Sequence, residues 1–452
     1  MNHNMRKRLF LLISSAIIGV VGFAEDHLIT NYGAKADTTV LSTEFIQQAI
    51  DACHAEGGGR VVVPAGNFKT GSLFLKSNVY LYLSPGAVLY GSKDKRDYKP
   101  VKPAFLSLRT WEPTIQLIYG ENLCNSGICG KGTIDGQGEV FVKRKEKDEG
   151  LERPHLIRFV TSKNITVENV TLRNSGCWMQ HYLACDDLQL VDLRIYNRVT
   201  KNNDALDLDG CHNVTVRGLI CDSDDDAITL KSTSPRLCEN ISISNCVISS
   251  HCNGIKLGTE TNGGFRNIVI ADCVVKPSDV KEPRIFGFPE GISGISIEMV
   301  DGGVLDGVVV SNIMIRGTRS PIFIRLGNRA RAYAEGVPVA GVGILRNVQI
   351  SNVMALDAGE IGCSITGIPG HPVENITLRN IMMEFAGNPG EYVKEPEEKE
   401  ASYPEATMFG ALPSYGFFVR HARNVKMEGV ELRTKESDPR PAMLFDDVEN
   451  MP

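Results

Sequence analysis

Short units of alternating polar and apolar residues recur along the chain. Asn164-Ile165-Thr166-Val167, Asp187-Leu188-Gln189-Leu190, Asn213-Val214-Thr215-Val216, Asn240-Ile241-Ser242-Ile243 and Asn267-Ile268-Val269-Ile270 begin 23, 26, 27 and 27 residues apart. Alternation of this kind makes a strand with one apolar face. A second short apolar stretch follows most units, as in Val170-Thr171-Leu172 and Val247-Ile248, and later copies begin at Asn347, Asn375 and Asn424. A period of about 25 residues, with two or three short strands and no helix between them, predicts an all-β solenoid: a right-handed parallel β-helix. Leucine-rich repeats share the period, but their leucine spacing is absent. Asparagine at the recurring turn suits the left-handed backbone conformation and can stack from coil to coil.

A solenoid exposes its core at each end and needs a cap. Ile46, Ala49, Ile50 and Cys53 lie at helical spacing between Ser42 and Glu56, and Gly57-Gly58-Gly59 ends the pattern. This predicts a short N-terminal capping helix. Lys143 to Arg153 reads as a charged loop. Glu391 to Glu405 is acidic, contains proline and exceeds an ordinary turn, so it is either flexible or a lid over a groove. No composition break calls for a second domain. Residues 1–24 read as a secretory signal, with Arg6, Lys7 and Arg8 before the apolar run Leu9 to Phe23 and a small-residue site at Gly22-Phe23-Ala24. The expected product is residues 25–452 as one exported catalytic domain, periplasmic or extracellular, monomeric, and free of the membrane.

The formal charge of −6 argues against a nucleic-acid partner. The 12 cysteines fall mostly in the repeat, with Cys185, Cys211 and Cys238 each two residues before a strand unit. They read as a buried ladder of small hydrophobes. Cys124 and Cys129 flank an expected turn and are the pair best suited to a disulfide.

Asp204 lies 21 residues before Asp225, with Asp226 next to it. That separation is about one coil, and coils stack at roughly 4.8 Å, so three carboxylates would share one patch. Converging carboxylates perform glycoside hydrolysis, where an inverting pair stands ~6.5–9.5 Å apart. Crowding also raises carboxylate pKa values, so one acid can stay protonated while its neighbours ionise. Acidic runs on solenoids can instead face solvent or bind calcium. Asp207 is as readily structural as catalytic, and Asp209, Asp222 and Asp224 read as turn or surface carboxylates.

Four motifs occur in order: Arg153-Pro154-His155-Leu156-Ile157, Asn174-Ser175-Gly176-Cys177-Trp178-Met179-Gln180-His181, Asn202-Asn203-Asp204 and Asp225-Asp226-Ala227-Ile228. Together they resemble glycoside hydrolase family 28, the polygalacturonases and rhamnogalacturonases. Asn31-Tyr32-Gly33-Ala34, Gly57-Gly58-Gly59 and Val63-Pro64-Ala65-Gly66 fit its bacterial branch. The resemblance implies inverting hydrolysis of a pectic oligosaccharide or polysaccharide without cofactor or metal. By motif, Asp225 matches the general acid, and Asp204 and Asp226 match the pair that activates water.

Two stretches depart from the family pattern. Where a Gly-His-Gly segment is expected, Ser250-His251-Cys252-Asn253-Gly254 stands instead, leaving His251 offset and Asn253 or Cys252 in its place. Where an Arg-Ile-Lys segment would grip galacturonate, Ser296-Ile297-Glu298 stands instead. Lys231, Lys256, Arg325 and Arg329 are candidate replacement cations. Trp178 and His181 are candidates to line the groove, Tyr415 to stack on a sugar, and Arg420-His421 beside it is undecided. The lost residues and long loops point to an exo-acting galacturonidase, with a rhamnogalacturonan hydrolase as the alternative. A polysaccharide lyase and a non-catalytic carbohydrate-binding β-helix are the competing readings from other classes.

Overall fold

The computed structural model describes residues 26–141, 153–283 and 287–450. The expected leader and nearly all of the charged loop before Arg153 lie outside these residues. The chain winds into a parallel β-helix in which each strand pairs, in parallel, with its counterpart one coil on. One stacked sheet runs through His155–Val160, Gln180–Leu183, Leu206–Asp209, Ile228–Ser232, Asn253–Thr261, Ser293–Met299 and Ser320–Leu326. It forms the floor of the site described below.

Inward-facing residues of the floor stack in columns. Phe159, Tyr182, Leu208, Leu230, Leu257, Ile297 and Ile324 share one register level, and all are buried. The outward-facing residues of the same strands, including Asp207, Thr229, Lys256 and Ser296, are buried too. Elsewhere the strands keep the inside-out alternation read from the repeat, as in His212–Arg217. A floor buried on both faces needs something lying over it. Two loops and the segment ending at Glu405 supply that cover.

The capping helix spans Thr43–Ala55, with Ile46, Ala49, Ile50 and Cys53 turned onto the first coil. Gly57 and Gly58 then take φ of 102° and 112°, which residues with a Cβ avoid. The asparagine ladder forms as expected. Asn164, Asn213, Asn240, Asn267, Asn347, Asn375 and Asn424 all have φ between 53° and 59°. Asn240 Nδ2 donates to Asn213 Oδ1 at 3.0 Å, and Asn267 Nδ2 donates to Asn240 Oδ1 at 3.0 Å. A second ladder runs through Asn312, Asn352 and Asn380.

All 12 cysteines are free, which overturns the Cys124–Cys129 pairing. The two residues do not flank a turn. They lie on one strand, Cys124–Gly130, and five extended residues span about 16 Å. A disulfide requires Cα atoms within about 7 Å. Cys185, Cys211 and Cys238 are buried as the ladder reading expects. Among the described residues, no helix is long and apolar enough to cross a membrane.

The ladder yields a test in which backbone strain and hydrogen bonding separate. Asn240→Ala keeps a Cβ at positive φ without the amide side chain that makes this conformation tolerable, and deletes both ladder bonds, which should cost about 1–3 kcal/mol. Asn240→Gly deletes the same bonds without the strain and should cost less. Thermal unfolding of both variants checks the order, and a glycine variant as unstable as the alanine one would contradict it.

Candidate active site

The register of the floor fixes the site. Leu206 pairs with Ile228, and Ile228 with Ile255. Two residues further back, that register sets Asp204 level with Asp226 and Asn253. Asn253 in turn pairs with Ser293. His181 pairs with Asp207, which puts Trp178 on the same level one coil earlier. Asp225 is one residue upstream of this column, at the mouth of the turn.

Buried polar groups hold these turns. Asn197 Nδ2 and the Met179 amide donate to the Asp204 carbonyl at 3.1 and 2.9 Å. Ser223 and Ser250 hydroxyls donate to the Asp225 carbonyl at 2.8 and 2.6 Å. The Asp226 amide donates to Asp225 Oδ1 at 2.9 Å. Backbone positions are therefore locked while most carboxylate oxygens face one another.

One carboxylate oxygen from each of Asp204, Asp225 and Asp226 lies within 4.8 Å of the others, and all three residues are buried. Two lysines stabilise this approach. Lys231 Nζ lies 3.8 Å from Asp204 Oδ2 and 3.4 Å from Asp207 Oδ1. Lys256 Nζ lies 3.1 Å from Asp226 Oδ2. Burial disfavours both ammonium groups, but the surrounding carboxylates outweigh it and raise their pKa values. A divalent cation would compete with these ammonium groups for the same oxygens, so the donor set fits an ion poorly.

Burial, reinforced by Asp226, pushes the Asp225 carboxyl up to about 6. Burial and the neighbouring Asp207 and Asp225 push Asp204 well above the usual range. Asp207 rises to about 7, mainly through burial and against the pull of Lys231. Among the described residues, Asp204 Oδ1 and both Asp207 oxygens have no hydrogen-bond partner. They can accept from a water or a sugar hydroxyl.

The sequence-derived candidates divide into two groups. Asn253 belongs to the site, donating to Asp226 Oδ1 at 2.7 Å while Ser293 donates to its own Oδ1 at 2.6 Å. Lys231 and Lys256 belong as well, although each is fully engaged with carboxylates. Trp178 lies beside the trio, with the Lys231 ammonium 4.8 Å from its ring centre. His181 packs edge-on against Trp178 and meets Asp209 Oδ2 at 3.1 Å, and burial lowers its pKa to about 4.

Six candidates are committed elsewhere. His251 engages Asp224 Oδ1 at 2.8 Å and the Val280 carbonyl at 2.7 Å, which takes up both ring nitrogens. Arg325 donates to Gly367 and Glu398 carbonyls, and Arg329 to Asp301 and Thr259. Tyr415 packs against Phe385 and the core instead of flooring a groove. Arg420 donates to the Pro396 carbonyl, and His421 meets Glu398 and Asp447. Asp209, Asp222 and Asp224 are buried supports, not surface carboxylates: they bind Thr233 and His181, Arg198, and His251 respectively.

The segment from Glu391 to Glu405 is a lid. The Asn328 amide donates to the Glu400 carbonyl at 2.7 Å, which ties it to the end of the floor. Tyr403 covers Lys256, whose ammonium is 5.5 Å from the ring centre. Glu405 reaches Lys256 Nζ at 3.5 Å and accepts from Asn253 Nδ2 at 3.3 Å. Sequence reasoning identified the lid but not Glu405, because fifteen mostly polar residues without periodicity give no register. It also missed Arg109 and the Glu260 carboxylate, which meet at 2.5 Å. Arg109 stands in a loop with no motif, 151 residues from its partner.

Glu298 stands where a cation was expected, and in its ionised form it would repel a bound carboxylate. It is buried beside Lys256, and burial raises its carboxyl to about 8, so its neutral form accepts and donates hydrogen bonds without that repulsion.

Residues 53–402 match the sequence family described as Glycosyl hydrolases family 28. A "Probable polygalacturonase" of Vitis vinifera is 32% identical over 214 residues, covering 45% of this chain and 44% of that protein. An exo-poly-alpha-D-galacturonosidase of Dickeya chrysanthemi is 37% identical over 153 residues, covering 32% of this chain and 25% of that protein. The match thus spans less than half the length of either relative. The crystal structure of a hyperthermoactive exopolygalacturonase from Thermotoga maritima superimposes with a TM-score of 0.67 at 19% identity, covering 80% of this chain and 87% of that one. That likeness concerns the fold. The match across most of the chain, on a parallel β-helix with three aspartates converging on its floor, means that the chain belongs to glycosyl hydrolases family 28.

Proposed function

We propose that this enzyme hydrolyses α-galacturonosyl linkages with inversion and works from a chain end. Asp225 is the general acid: its carboxyl, held up to about 6, donates its proton to the glycosidic oxygen as the bond to the anomeric carbon breaks. Asp204 and Asp226 hold a water between them, and the proton released on attack passes to this pair. The approach of one oxygen from each carboxylate does not by itself select the stereochemistry. Inversion is supported by the presence of a third carboxylate, which gives the water two acceptors while the acid stays free.

The observation that carries end-on action is the cover over the trio. Asp204, Asp225 and Asp226 are only 3%, 8% and 4% exposed. An open cleft for a polymer would leave its catalytic carboxylates wet. Here the lid lies on one side and the loop bearing Arg109 on the other, which favours a pocket that accepts a terminal sugar. The basic and apolar leader supports export, where pectic substrate would be met.

A second reading has its own support. Ser296 and Glu298 stand at the positions of the expected cationic pair, and the lid adds Glu405, which burial raises to about 7. Protonatable carboxyls read hydroxyl groups better than carboxylates. A linkage between galacturonate and a neutral sugar, as in rhamnogalacturonan, fits that wall.

Two outcomes test the proposal. Asp225 is active when protonated, so kcat/KM on oligogalacturonides should fall as pH rises through about 6. Asp225→Asn should lose about 100- to 10,000-fold in rate and that descending limb. It should also raise the thermal midpoint at neutral pH. A carboxyl whose folded pKa exceeds its unfolded value of 3.8 loses stability as pH rises from there through about 6, and the amide removes that loss. An unchanged rate would defeat the assignment.

The second outcome concerns products. Digests followed by NMR should release the monomer from the first time points, as the β-anomer. Internal cuts without early monomer would refute end-on action, and an α-anomer would refute inversion. Monomer released only from rhamnogalacturonan oligosaccharides would favour the second reading.

A further inference from the structure

The cations proposed from sequence to grip a substrate carboxylate are all spent. Lys256, Arg325 and Arg329 are occupied by Asp226, backbone carbonyls and Asp301, as described above. Two guanidinium groups near the trio are not fully committed. Arg109 and Arg331 have side chains 37% and 39% exposed, against 6% for Lys231.

They stand 222 residues apart in the chain and meet over one carboxylate. Arg109 Nη2 donates to Glu260 Oε1 at 2.5 Å, and Arg331 Nη2 donates to the same oxygen at 3.1 Å. Glu260 Oε2 lies 3.6 Å from Lys231 Nζ, and Lys231 reaches Asp204. Glu260 and Lys231 therefore link the guanidinium pair to the trio. Arg109 also lies 4.7 Å from the centre of the Trp178 ring, on the same side chain that Lys231 approaches.

The two loops are joined to each other and to the floor. Trp111 Nε1 donates to the Tyr333 carbonyl at 2.9 Å, and the Leu108 amide to the Thr233 carbonyl at 2.8 Å. Buried Arg158 donates to the Arg109 carbonyl at 2.8 Å. The pair is thus positioned in advance, which is what bidentate recognition of a planar anion requires.

Lys231, Arg109, Arg329 and Arg331 surround two carboxylates, Glu260 and Asp301. Asp204, Asp207 and Asp209 act on Arg109 as well. Glu260 itself is held well below its usual range: Arg109, Lys231 and Arg331 outweigh its burial. Among the described residues, Arg109 Nε has no hydrogen-bond partner. Two partly exposed guanidinium groups sharing one carboxylate oxygen are placed to take one further anion.

We propose that Arg109 and Arg331, braced on Glu260, form the clamp for the carboxylate of a terminal uronic acid. This deepens the hydrolase reading and rests on it for the identity of the sugar. The clamp stands beside Trp178 and Lys231, while the Glu298 and Glu405 carboxyl groups flank Lys256.

Titration calorimetry on the Asp225→Asn protein, which keeps the pocket without turnover, tests the clamp with digalacturonate and its methyl ester. The acid should bind at least about tenfold more tightly than the ester. Added Arg109→Ala or Arg331→Ala should each erase most of that preference, leave ester binding nearly unchanged, and so report on recognition instead of folding. Arg109→Lys should retain part of it, because the charge stays and the fork is lost. No preference for the acid, or equal losses for acid and ester in both alanine variants, would overturn the clamp. The hydrolase reading fails separately, if the wild-type protein binds the acid selectively and releases no sugar from any oligogalacturonide.

Discussion

Everything at this site depends on keeping like charges together inside protein. Three aspartates with oxygens within 4.8 Å would repel one another strongly if all were ionised and unpaired. Two features make the cluster tenable. Lys231 and Lys256 contribute a positive charge at each side, and burial lets at least one carboxyl remain protonated. The lysines in turn meet further carboxyl groups, those of Glu260, Glu298 and Glu405. The pocket is consequently a network of ammonium and carboxyl groups whose outermost members lie on loops and a lid. Removing an outer member changes the protonation balance at the centre without touching the substrate.

The coils were legible because their causes are local and repeated. Alternation gave the strands, asparagine at positive φ gave the turns, and Ile46, Ala49, Ile50 and Cys53 gave the cap. Asp204, Asp225 and Asp226 were legible because the repeat converts sequence separation into height along the solenoid. The separation is slightly different from the one first inferred: Asp204 stands level with Asp226, and Asp225 is the residue offset by one.

What escaped has a common physical origin. Long-range partnerships carry no periodic signal, so the meeting of Arg109 with Glu260 or of Glu405 with Lys256 could not be read from either residue. Function was also assigned too freely to residues near motifs. His251, Arg325 and Arg329 are chemically suitable, yet each is consumed by buried polar groups that would otherwise lack a partner. Spacing likewise suggested Cys124 and Cys129 as a pair, because the strand joining them was taken for a turn.

The common register level of Trp178, Asp204, Asp226 and Asn253 has a mechanical consequence. Their separation is set by backbone hydrogen bonds between coils, an interval of roughly 4.8 Å that side-chain repacking hardly alters. The catalytic floor thus behaves as a ruler with fixed graduations: a residue can be exchanged at a mark, but the marks do not move. Differences in substrate preference must then arise in the loops above, where length and sequence are free to drift. The same ruler can carry many pockets while the spacing that breaks the bond stays constant.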